Sequence, residues 1–109
     1  MHRLGLAANY LYKTDEEKKM KFIVKYSIPK GSVVDAEQRF LKTGGGPPEG
    51  VKMIGRWHGM SGGGVVIAET NDVKALYSWL TYWNDLLDFD TTPCVEDAEA
   101  GEVMAAVKR

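Results

Sequence analysis

His58 is the first residue in this chain equipped for acid–base chemistry. It stands in Gly55-Arg56-Trp57-His58-Gly59, and the only other histidine is His2. On an extended strand successive side chains alternate, so Arg56 and His58 share one face and Trp57 takes the other. An imidazole that titrates near neutral pH suits a general base, and it equally suits a hydrogen-bonded structural role. With no histidine near it and one cysteine, Cys94, in the whole chain, His58 does not by itself make a metal site. Asp88 and Asp90 alternate with Leu87 and Phe89, which puts both carboxylates on one strand face. They read either as an acid/base pair or as solvated charges that discourage edge-to-edge aggregation. Trp79, Tyr82 and Trp83 crowd one helical stretch, either as core with a second contact surface or as the wall of a ligand cleft. The candidate catalytic residue is therefore His58. The candidate ligand contacts are Arg56, Trp57, Trp79, Tyr82, Trp83 and Asp88, with no metal and no cofactor expected.

Other chemistries drop out on their spacing. The loop Gly44–Gly50 lacks the Lys-Ser/Thr of a phosphate-binding loop and precedes a strand, not a helix. Cys94 reads as a small structural residue. A single cysteine excludes an intramolecular disulfide and any four-cysteine cluster. The formal net charge is −1 with basic residues scattered, which argues against a nucleic-acid partner. No apolar run approaches a membrane span, and Leu4 to Ala8 is too short for a signal-peptide core. A cytoplasmic location is the default expectation.

These residues need a frame, and the punctuation supplies one from Met20 onward. Lys21-Phe22-Ile23-Val24-Lys25-Tyr26-Ser27-Ile28 reads as a strand ending at Pro29. Ser32, with Asp35 in the capping-box position, predicts a helix over about 33–42 with Val33, Ala36, Phe40 and Leu41 on one side. Residues 43–50, rich in Gly and Pro, form a loop. A second strand covers 51–60, a glycine turn covers 61–63, and a third strand covers 64–70. Asn71 reads as the cap of a helix over 72–84 whose core spacing is Val73, Leu76, Tyr77, Leu80 and Trp83, with Trp79 and Tyr82 on a neighbouring face. A fourth strand covers about 86–92, with Pro93 marking an edge position. An amphipathic helix with Val103, Met104 and Val107 is expected over 97–108.

The order strand, helix, strand, turn, strand, helix, strand is the split βαβ pattern. It predicts an α+β, ferredoxin-like domain: a four-stranded antiparallel sheet with two helices on one face, plus a C-terminal helix. The open face should then be polar. Instead the alternation assigns it Ile23, Ile54, Val66 and Met60, whose burial is worth roughly 6–12 kcal/mol together. A homodimer through that open face, forming a dimeric α/β barrel, is the expectation; an N-terminal arm or the C-terminal helix of the same chain is the alternative cover.

Residues 1–19 read as a separate N-terminal extension, with 20–109 as the single domain. The charged run Asp15-Glu16-Glu17-Lys18-Lys19 is encoded by purine-rich codons, as a bacterial ribosome-binding site would be, so Met20 reads as the true start. An ordered N-terminal arm is the alternative.

One ordered series of residues carries a resemblance. It comprises Met20-Lys21-Phe22-Ile23-Val24, Arg39-Phe40-Leu41, Pro48-Glu49-Gly50-Val51, Gly55-Arg56-Trp57-His58, Ala68-Glu69-Thr70, Trp79, and Trp83-Asn84-Asp85-Leu86-Leu87-Asp88-Phe89 with Pro93. It resembles the small bacterial proteins grouped as domain of unknown function 3303, from Met20 to about Ala100. That family looks like a branch of the dimeric α/β-barrel proteins, whose relatives include cofactor-free monooxygenases and small isomerases. The resemblance implies the fold, supports a dimer and implies no reaction. The expected function is a small homodimer holding a hydrophobic or aromatic molecule in the helix–sheet cleft; the alternative is a cofactor-independent monooxygenase or isomerase.

Overall fold

The alternation of strand β1, Met20–Ser27, sets the orientation of the fold. Phe22 and Val24 are buried, while Ile23 between them is only partly covered. The computed structural model describes residues 19–109; the expectation about the leading extension falls on residues 1–18 and so lies almost wholly outside them. After β1 come α1 (Val33–Thr43), β2 (Val51–Gly59), β3 (Gly63–Thr70), α2 (Val73–Trp83), β4 (Asp88–Cys94) and α3 (Asp97–Ala106). The strands form one antiparallel sheet in the order β2-β3-β1-β4, the ferredoxin-like α+β topology expected from the element order. Helices α1 and α2 cover one face. The core there joins Phe22, Val24, Val51, Val66 and Ala68 of the sheet to Leu76, Trp79 and Trp83 of α2.

The elements start and stop for local reasons. Gly44 closes α1 in the left-handed conformation at φ 75°, where a residue without Cβ is least strained. Its N–H donates to Phe40 O at 2.7 Å. At the other end of α1, Ser32 holds the cap position but its side chain makes no capping hydrogen bond, because a 3₁₀ turn over Lys30–Ser32 leads straight into the helix. The cap of α2 is Asp72, not Asn71: its carboxylate accepts from the N–H groups of Lys74 and Ala75. Thr70 is buried and ties this junction to β2, donating to Gly50 O at 2.6 Å and accepting from the Asp72 N–H.

Several side chains take a different face from the one their spacing predicts. A β-bulge sets Ile54 and Gly55 together against Ile67, and a bulge reverses the alternation beyond it. Met53 therefore faces the helices with Ala68, while Trp57 faces away with Val65. Val66 belongs to the core, not the open face, whose apolar residues include Ile23, Val65 and Ile67 beside Trp57. Helix α2 buries Leu76, Trp79 and Trp83, whereas Val73 and Tyr77 point outward. Leu41, expected on the inner side of α1, is 83% exposed. Helix α3 buries none of its residues; Val103 and Met104 are exposed.

Candidate functional site

Between α1, α2 and the sheet lies a cavity of about 700 Å³. Its walls are chiefly apolar, with Val24, Phe40, Val66, Trp79, Trp83 and Phe89 among the lining residues. Arg56 and His58 line it from β2, on the face they share beyond the bulge.

Strand register makes the polar part of this wall. Tyr26 pairs with Gly64 of β3, and His58 pairs with the same Gly64 from the other side. The Tyr26 ring lies across Gly64, so close that a Cβ at that position would overlap its ring and hydroxyl. The phenol thereby crosses the middle strand and reaches His58 Nδ1 at 2.8 Å. Glycine inside a strand commonly marks such a close approach. Burial pushes the Tyr26 pKa up, and the charge of Arg56 opposes this in part, so the hydroxyl is protonated at neutral pH.

His58 is held from a second side as well. Its ring meets Phe40 of α1 edge to face at 5.3 Å between centroids. The Arg56 guanidinium lies 4.8 Å from the centre of the same Phe40 ring, a cation–π distance. Its N–H groups donate to Gly45 O at 2.7 Å and Gly44 O at 3.0 Å. Arg56 therefore fastens the glycine loop after α1 to β2, and two of its donors are already engaged. Among the described residues no group of three His, Cys, Asp or Glu could hold a metal ion.

The candidate residues divide between two faces. Arg56, His58, Trp79 and Trp83 line the cavity. Trp57 lies on the open face, 58% exposed, with its ring folded over Gly55. Asp88 is on that open face too, opposite Ser27 and away from His58, since its neighbour Phe89 pairs with Tyr26 on the helix side. Tyr82 is exposed at the outer edge of α2, where its ring packs edge to face on Trp83. Close by, Arg39 forms a two-pronged ion pair with Asp85 at 2.8 and 2.9 Å and donates to Tyr82 O. That clamp joins α1 to the end of α2 and holds the Asp85 carboxyl below the ordinary carboxylate range.

Tyr26 and Phe40 are the members of the site that sequence reasoning missed. Phe40 falls on the apolar side of its helix and Tyr26 within the run of the first strand, and neither spacing marks a site. The available signal was Gly64 directly before the run Val65-Val66-Ile67-Ala68, a gap through which a ring on the neighbouring strand passes.

No helix among the described residues is long and apolar enough to cross a membrane. No curated protein and no solved structure matches this chain. One family does match, Domain of unknown function (DUF3303), over residues 20–108. That match begins at the residue where β1 begins and takes in both halves of the cavity, so the chain belongs to the DUF3303 family.

Proposed function

We propose that this protein is a small cytoplasmic homodimer that binds a hydrophobic or aromatic small molecule in the cavity between helices and sheet. The cavity carries this reading: about 700 Å³, apolar for most of its wall, with Tyr26 and His58 as convergent polar groups. Small-molecule sites have this size and this makeup. Ordinary cores are packed too closely to leave such a recess. Arg56, His58, Trp79 and Trp83 are the contacts within it, while Trp57, Tyr82 and Asp88 serve elsewhere.

A second copy is the proposed cover for the open face, where Ile23, Val65, Ile67 and Trp57 leave apolar surface. A symmetric pair buries the same patch on both partners with one set of contacts. Nucleic acid and membrane are not among the proposed partners. Sedimentation velocity gives twice the chain mass if this holds; a single species of chain mass at every concentration refutes the dimer. For the cavity, two-ring compounds such as tetralin and its ketone raise the melting temperature without being transformed. At a hundredfold excess over Kd the stabilisation is about 2.7 kcal/mol, and a melting temperature indifferent to all of them refutes binding.

The Tyr26–His58 hydrogen bond favours one second reading, a cofactor-independent monooxygenase or isomerase with His58 handling the proton. A His58→Ala variant that keeps full turnover of an identified substrate removes it.

A further inference from the structure

We propose that Tyr26 and His58 together select a ligand with a neutral hydrogen-bond-accepting oxygen, a ketone-type carbonyl on an alicyclic or aromatic frame, which receives a hydrogen bond from His58 Nε2. The inference rests on the cavity being a binding site and adds the chemistry of what it takes.

The direction of the bonds follows from the Tyr26 hydroxyl acting as donor. Partial burial keeps the phenol protonated, and a phenol O–H donates more readily than its oxygen accepts. Among the described residues its hydrogen-bond partner is His58 Nδ1, 2.8 Å away. When the phenol donates, Nδ1 accepts through its lone pair. A neutral imidazole carries one N–H, so the proton is on Nε2. That nitrogen makes no hydrogen bond with any described residue, and His58, itself exposed, is among the residues lining the cavity. The pair therefore presents a donor, not a base, to whatever occupies the cavity.

The rest of the wall narrows the choice. Arg56, the cationic side chain lining the cavity, has donors held by Gly44 and Gly45, so its guanidinium is fixed at the glycine loop. A carboxylate ligand would have to shed its hydration among Phe40, Trp79 and Trp83, a cost that a neutral carbonyl does not carry. Glu37, the acid on the same wall, would repel it further. A carbonyl oxygen needs one donor and no counter-charge. A His58 held this way polarises a carbonyl, which also defines its role should the protein prove to be an enzyme.

The test uses the full chain and two probes of one skeleton, α-tetralone and tetralin, titrated calorimetrically. One hydrogen bond to a neutral acceptor makes the ketone bind about three- to tenfold tighter. Long-range ¹H–¹⁵N spectra above neutral pH show His58 as the Nε2–H tautomer, its signals assigned by their loss in His58→Phe. In Tyr26→Phe the ketone preference falls to within about twofold while tetralin binding is kept, which a merely structural role for Tyr26 would not produce. An Nδ1–H tautomer, or equal binding of both probes by the unaltered protein, overturns the selection and leaves the cavity reading standing. Binding of neither probe removes both.

Discussion

On the helix-covered side of the sheet, Val24, Val66 and Ala68 are sealed from solvent. On the reverse, their strand neighbours Ile23, Val65 and Ile67 keep partial exposure, and Trp57 stands mostly outside. The two rows are close in chemical type, so side-chain character does not decide which is core. What decides is the cover: α1 and α2 close one face, while α3 buries none of its own residues. The open face is also divided along its width. Its β2–β3 half carries Trp57, Val65 and Ile67, while its β4 half carries Asp88, Asp90 and Thr92. Any partner that covers the face gains from one half of it and meets hydrated carboxylates on the other.

Substitutions on each face test how real this contrast is. Trp83→Ala empties a buried position and costs about 3–5 kcal/mol in a denaturant titration. Trp57→Ala, measured at a concentration where any dimer is dissociated, stays within about 0.5 kcal/mol of the unaltered protein. Equal losses would erase the distinction between faces.

Ile67→Asp places a charge in the apolar half of the open face and weakens self-association on the order of 30-fold, read by sedimentation equilibrium. An unchanged oligomeric state would place the partner surface elsewhere.

A finer comparison uses two glycines with rings lying over them. Gly64→Ala forces Tyr26 off a strand whose backbone gives no room and costs about 1–3 kcal/mol, with loss of the Tyr26–His58 contact. Gly55→Ala meets only the Trp57 ring, which is free to swing into solvent, so its cost falls below about 1 kcal/mol. Both are read from thermal melts.

The smallest effect concerns the clamp outside the core. Asp85 has a folded pKa below its ordinary value because of Arg39. Its contribution is complete above the unfolded pKa and fades as pH falls through the lower folded one. Asp85→Asn therefore narrows the difference in melting temperature between neutral and acid solution. The pair is solvent-exposed, so the change is slight.

Much of this architecture was legible in the chain because punctuation and period agree. Pro29, the Gly-Pro run over 43–50, the glycine turn and Pro93 bracket strands and helices whose order admits one sheet topology. Face assignment was less legible, for reasons of geometry. The bulge at Ile54 and Gly55 leaves no mark in residue type, yet it turns Trp57 away from Met53. In α2, Tyr77, Trp79, Tyr82 and Trp83 support more than one apolar stripe, and only packing into the core cluster that holds Val24 and Val66 selects Trp79 over Tyr77. Of the site, the pairing of Arg56 with His58 on one face followed from alternation. The Tyr26–His58 contact spans three strands and depends on a register that local sequence does not encode.

The sheet also partitions the chain's three tryptophans, with Trp79 and Trp83 buried at the cavity and Trp57 exposed on the far face. Each face thus carries its own optical probe. Iodide reaches Trp57 from solvent and is shielded from the other two, so selective quenching resolves their emission. A ligand entering the cavity perturbs the shielded component, and a partner docking on the open face blue-shifts the accessible one. Occupancy and assembly become separable signals from a single unlabelled sample.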